Sequence, residues 1–145
     1  MKINLENFPY DYGKVVSNPS ANEGGRSFIL DNKSGYVIRR WAIDNVLFKN
    51  STEVRCDFLI EVQKKRVTYF WVELKGRDLV KACKQILNTI NLVHVANEIR
   101  QESRVITTGT NTIDIRSIEY QKLDKLMRKT GGCLKSHTTK AVEVI

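Results

Sequence analysis

Up to about residue 35 the chain is dominated by polar and turn-forming positions, and Asn18-Pro19-Ser20-Ala21-Asn22-Glu23-Gly24-Gly25 is a cluster of breakers. Residues 1–35 therefore predict an irregular N-terminal segment. From Tyr36 the apolar residues gather into short runs. Tyr36-Val37-Ile38 and Trp41-Ala42-Ile43 flank Arg39-Arg40, and Asp44-Asn45 suits a turn before Val46-Leu47-Phe48. Residues 57–62 predict a second strand and 63–66 a polar connector. Residues 67–74 are β-branched, aromatic and almost unbroken in apolar character, the pattern of a central strand covered on both faces. Gly76 breaks that run, and the period then becomes helical. Leu79, Ala82, Cys83, Ile86, Ile90 and Val93 share one face behind an N-capping Asp78, predicting a helix to about Arg100. Residues 105–108 suit a fourth strand. Residues 117–130 suit a second helix stopped by Gly131-Gly132, and 141–145 a last strand. The order predicts an α/β domain spanning 1–145, with a central mixed β-sheet flanked by helices.

Composition narrows this further. With 145 residues, 41% of them hydrophobic and 28% charged, the chain can bury a core and is not a disordered or collagen-like sequence. No run of 18 apolar residues occurs, and Met1-Lys2-Ile3-Asn4-Leu5-Glu6-Asn7 lacks the pattern of a secretion signal. No membrane partner is expected. Cys56, Cys83 and Cys133 are odd in number and never form C-x-x-C, so neither a disulfide framework nor a zinc site is indicated. A reducing, cytoplasmic setting is expected.

The net charge is +8. Basic and acidic groups number 7 and 5 in residues 1–50, 9 and 6 in 51–100, and 8 and 5 in 101–145, so the excess is distributed through the fold. A folded domain with a basic face suits phosphate backbones, although charge alone equally suits plain solubility.

Within this frame one constellation carries chemistry. Glu73 and Lys75 lie two apart at the end of a strand and share a face, and Asp57 opens the preceding strand. If the two strands pair as an antiparallel hairpin, two carboxylates and an ammonium meet at one end of a sheet. Buried carboxylates repel unless a cation lies between them, and a divalent ion with oxygen ligands meets that need. A bare [DE]-x-K has little meaning, and its other occurrence, Asp31-Asn32-Lys33, lies in a polar loop and reads as chance. The same three residues also suit a structural salt bridge at a sheet end.

Asp57 followed by Glu73-Leu74-Lys75, with Gly76 and a helix bearing Gln85 behind them, resembles the PD-(D/E)XK nuclease superfamily, over about residues 36–110. The resemblance implies a restriction-endonuclease-like core, as in small nucleases of the Holliday-junction-resolvase kind. It implies that Asp57, Glu73 and the backbone carbonyl of Leu74 bind Mg²⁺, with Mn²⁺ as a substitute. Lys75 would be the catalytic lysine and Gln85 an auxiliary residue. Cys56 stands where the family name has proline. The family's upstream glutamate has Glu6 and Glu23 as candidates here, both in irregular-looking sequence.

Arg77, Lys81 and Lys84 share a helix face beginning beside this site and would hold phosphates, and Lys64-Lys65-Arg66 would reach DNA from a loop. Each group equally suits a solvated surface. Lys122, Lys125 and Lys129 repeat the spacing on the last helix and read as a solvated face. Trp41, Tyr69, Phe70 and Trp71 read as core, His94 as structural on the apolar side of its helix, and His137 as isolated. The leading expectation is a Mg²⁺-dependent DNA nuclease, a homodimer, with RNA left open as substrate. The rivals are a nucleic-acid-binding module without catalysis and a protein-interaction module on the same fold.

Overall fold

The computed structural model describes residues 2–8, 10, 20–43, 56–74, 78–108 and 117–145. A short 3-10 helix (Leu5–Asn7), eight strands and two α-helices occur among them: β1 (Ser20–Glu23), β2 (Arg26–Asp31), β3 (Val37–Ala42), β4 (Phe58–Gln63), β5 (Thr68–Glu73), α1 (Leu79–Leu92), β6 (Arg100–Thr107), α2 (Ile118–Lys129), β7 (Leu134–Thr138) and β8 (Lys140–Val144). The α/β expectation holds at that level, with two sheets in place of one.

The larger sheet has the order β3-β4-β5-β6-β7. Its first three strands are antiparallel neighbours, and β6 and β7 are each added in parallel to the strand before. Parallel neighbours need a crossover, and α1 and α2 supply the two. β5 is buried along its whole length, as its sequence predicts, because both faces are covered. On one face Trp41, Leu59, Tyr69 and Trp71 pack against Leu79, Ala82, Cys83, Ile86 and Ile90 of α1 and against Leu123 and Met127 of α2. On the other, Ile38, Ile60, Val62, Phe70 and Val72 meet Phe28, Leu30 and Ala141 of a second sheet, ordered β1-β2-β8. Helices, five-stranded sheet and three-stranded sheet thus form three layers.

Three expectations are corrected. Part of the supposedly irregular 1–35 segment is the β1–β2 hairpin, in which Gly24 and Gly25, at φ 56° and 79°, form the two-residue loop that right-twisted strands favour. The final strand pairs in parallel with β2, outside the central sheet. α1 ends at Leu92, because the Ile3 amide donates to the Leu92 carbonyl and the His94 amide to the Ile3 carbonyl, drawing the chain out of the helix. His94 accordingly lies beyond the helix and is exposed. Residues 44–50 lie outside the described set.

α2 begins at Ser117, whose hydroxyl accepts from the Tyr120 amide at 3.2 Å. It ends in a Schellman motif: the Gly132 amide donates to the Met127 carbonyl and the Gly131 amide to the Arg128 carbonyl, with Gly131 at φ 95°. The two glycines serve different ends. A Cβ at Gly131 would meet only the tip of Arg66, at 2.8 Å, whereas one at Gly132 would lie 1.8 Å from the Gln101 carbonyl oxygen of β6. Gly132→Ala is expected to cost about 2–3 kcal/mol through forced backbone displacement, and Gly131→Ala about 1 kcal/mol through its left-handed φ. Urea titrations that rank the two in the opposite order would refute this division.

Candidate active site

The antiparallel register of β4 and β5 sets Phe58 opposite Val72. The ladder ends there: Asp57 lies in a bend before β4, and its carboxylate reaches the Leu74 amide, next to Glu73 at the end of β5. Asp57 is tied in at three points. Its amide donates to the Val72 carbonyl at 3.1 Å, its carbonyl accepts from the Ile43 amide at 3.0 Å, and its Oδ2 accepts from the Leu74 amide at 2.9 Å. The carboxylate is thus oriented by backbone on either side of it. Asp57 is 5% exposed and Glu73 fully buried.

α1 closes the site from above. Asp78 caps it, accepting from the Lys81 amide at 3.0 Å. Gln85 is buried, and its carbonyl accepts from the Thr89 hydroxyl at 2.8 Å. That hydroxyl in turn accepts from the Cys56 amide at 2.9 Å, so helix and β4 are joined next to Asp57. Burial pushes the Cys56 thiol well up against the pull of the Thr89 hydrogen bond, and the charges of Glu73 and Asp57 push it further. Cys56 therefore packs the site as a neutral thiol and is no nucleophile.

Sequence reasoning missed Arg26. The tight β1–β2 turn starts β2 with this arginine, and its Nε donates to the Leu74 carbonyl, 48 residues away. The available signal was Gly24-Gly25 as a hairpin turn, which fixes where the next side chain emerges.

The predicted residues divide accordingly. Asp57, Glu73 and Leu74 gather at one end of the sheet, and Gln85 is buried on α1, one turn before the Thr89 that bonds the Cys56 amide. Lys75, Gly76 and Arg77 lie outside the described residues. Lys81 and Lys84 are exposed on the first turns of α1, which starts at the site end of β5. Lys64, Lys65 and Arg66 do not join them. They form the β4–β5 turn at the opposite end of both strands, about 20 Å away for six residues of strand. Lys64 lies over the Tyr36 ring, and Arg66 Nε donates to the Glu98 carbonyl at 2.9 Å. Glu6 pairs with Arg39, itself held by Glu61, four positions along β4 from Asp57, so it does not complete the site. Glu23 ends β1; its side chain lies outside the described set.

The donor set can be tested against a metal. Two carboxylates and a carbonyl are all hard oxygens, suited to Mg²⁺ or Mn²⁺ and unsuited to soft ions. Among the described residues no group of three or more His, Cys, Asp or Glu side chains converges, so a ligand set here relies on the two carboxylates plus backbone, with the Leu74 carbonyl shared with Arg26. The pair fits a hard cation on those terms. Among the described residues no helix is long and apolar enough to cross a membrane. No family model matches the chain, and neither a curated protein nor a solved structure is significantly similar to it.

Proposed function

We propose that this chain is a metal-dependent nuclease of the PD-(D/E)XK type that hydrolyses phosphodiester bonds in DNA. One observation carries the reading: two buried carboxylates, Asp57 just before β4 and Glu73 at the end of β5, lie beside each other at one end of a β-hairpin whose second strand leads into a crossover helix. Two neighbouring buried carboxylates repel each other when ionised, and a metal ion bound between them favours both ionised forms. The order of three antiparallel strands, helix and parallel strand agrees with a restriction-endonuclease-like core.

Asp57, Glu73 and the Leu74 carbonyl would hold Mg²⁺. When bound, it would stabilise charge on the phosphoryl oxygens and lower the pKa of water at the site. The chain's own groups do the rest. The Leu74 amide fixes the Asp57 carboxylate, Gln85 of α1 would serve as an auxiliary residue, and Lys75 would neutralise charge as the bond breaks. Arg26 orients the Leu74 carbonyl and brings a permanent positive charge to the site.

Arg26→Ala is expected to lower cutting by about 10–100-fold, the range for residues that orient ligands, and Arg26→Lys to recover part of it. Wild-type rates in both variants would remove Arg26 from the mechanism.

The second reading is a nucleic-acid-binding module without catalysis, favoured by the same Arg26, whose guanidinium already offers the Leu74 carbonyl a cation. Supercoiled plasmid, linear duplex and a four-way junction, each incubated in Mg²⁺, Mn²⁺ and EDTA, separate the two. Cutting that EDTA abolishes supports the nuclease. A folded protein that binds these substrates and cuts none of them overturns it in favour of the binding module.

A further inference from the structure

We infer that the groove between α1 and α2 is a second nucleic-acid contact, which grips phosphates away from the Asp57–Glu73 site. It rests on the nucleic-acid part of the proposed function and is independent of catalysis.

The groove has a volume of about 280 Å³ and is lined by Leu87 and Asn91 of α1 and by Lys122, Lys125, Leu126 and Lys129 of α2. Lys122 and Lys125 also border a wider depression of about 650 Å³ on the outer side of α2, shared with Arg128. Three features make this surface more than a solvated face. First, α1 carries no carboxylate between Leu79 and Leu92, so nothing on that wall offsets the lysines. Second, Asp124 of α2 is already engaged, by Arg128 Nε at 2.8 Å and by the Leu134 amide at 3.0 Å. Third, Lys122, Lys125 and Lys129 are exposed, and none makes an ion pair with a described residue.

Spacing favours a phosphodiester chain as the occupant. Lys122 to Lys129 spans seven residues, about 10 Å along a helix. That is about three base-pair rises along a duplex axis, which carries one phosphate per strand every 3.4 Å or so. Exposed Lys81 and Lys84 extend the positive surface along α1. A duplex or strand engaged at the site can thus continue along the helix layer.

The test is binding of a fluorescent 25-base-pair duplex, by anisotropy over a salt series with EDTA present to prevent cutting. The protein is compared with a Lys122→Gln/Lys125→Gln/Lys129→Gln variant. A Lys33→Gln/Lys135→Gln/Lys140→Gln variant removes the same charge elsewhere. The groove variant is expected to bind at least tenfold more weakly near 0.1 M salt, and to lose about 2–3 from the log–log salt slope. The control should change much less. Equal losses in both variants reduce the effect to net charge and overturn the inference. So does binding unchanged in the groove variant, or tighter capture of an acidic poly-Glu peptide than of DNA. If the unaltered protein binds no DNA, the inference and the proposed function both fail. If it binds through the groove yet cuts nothing in Mg²⁺, only the catalytic reading fails.

Discussion

Glu73→Gln is expected to reduce metal-dependent cutting by about 10³-fold or more while the protein still unfolds cooperatively. The substitution keeps the shape of a fully buried side chain and removes one of two opposed negative charges. Charge stabilisation by a bound metal is worth several kcal/mol, and each 1.4 kcal/mol is a factor of ten in rate. Stability supplies an independent readout. A ligand that binds only the folded state stabilises it by RT ln(1 + [L]/Kd), about 1.4 kcal/mol when Mg²⁺ exceeds its Kd about tenfold. For a chain of this length that raises the melting midpoint by about 3–6 °C. The unaltered protein should show this rise and Glu73→Gln should not. Wild-type cutting in the variant would make Glu73 structural, and an equal Mg²⁺-induced rise in both proteins would place the ion elsewhere.

How far this site could be read in advance depends on the range of each contact. Asp57 beside the end of β5 follows from a hairpin with a short connector once both strands are recognised, whereas the bend at Asp57, which ends the register before Glu73, does not. Residues 67–74 were legible because burial on both faces leaves no polar alternation to confuse with a surface strand. Arg26 was not legible. Its contact with Leu74 spans 48 residues and depends on the three-stranded sheet, whose strands are short. β7, with the sequence Leu-Lys-Ser-His-Thr, shows no strand pattern and is held by pairing to β6. β6 was recognised only from Val105 onward because Arg100, Glu102 and Arg104 precede it. Charges at every second residue read as surface, yet Glu102 and Arg104 are buried, since each neutralises its neighbours.

That buried network underlies the largest stability effect expected in the fold. Arg104 is 2% exposed and makes five hydrogen bonds. Nε and Nη2 grip both oxygens of Glu143, Nη1 donates to the Ser103 and Cys133 carbonyls at 2.8 and 3.0 Å, and Nη2 also reaches Glu102 at 3.2 Å. Its guanidinium lies over the Phe70 ring at 5.4 Å. This one side chain joins β6 to β8 of the other sheet. Arg104→Met is expected to cost about 3–5 kcal/mol at pH 7, because it strands carboxylates inside the protein. The pH dependence separates that cause from lost packing. Burial pushes the Glu102 carboxyl up, but the Cys133 amide and the Arg104 and Arg100 guanidiniums outweigh it and hold it below the ordinary glutamate value. The stability it contributes is therefore complete above the ordinary value and drains as pH falls toward the lowered one. Without Arg104 the ionised carboxylate loses a partner, and protonation relieves the folded state. The deficit of Arg104→Met against the unaltered protein should thus shrink as pH drops from 7 to about 4. Urea midpoints that differ by the same amount at both pH values would make the loss one of packing, with the charges contributing nothing.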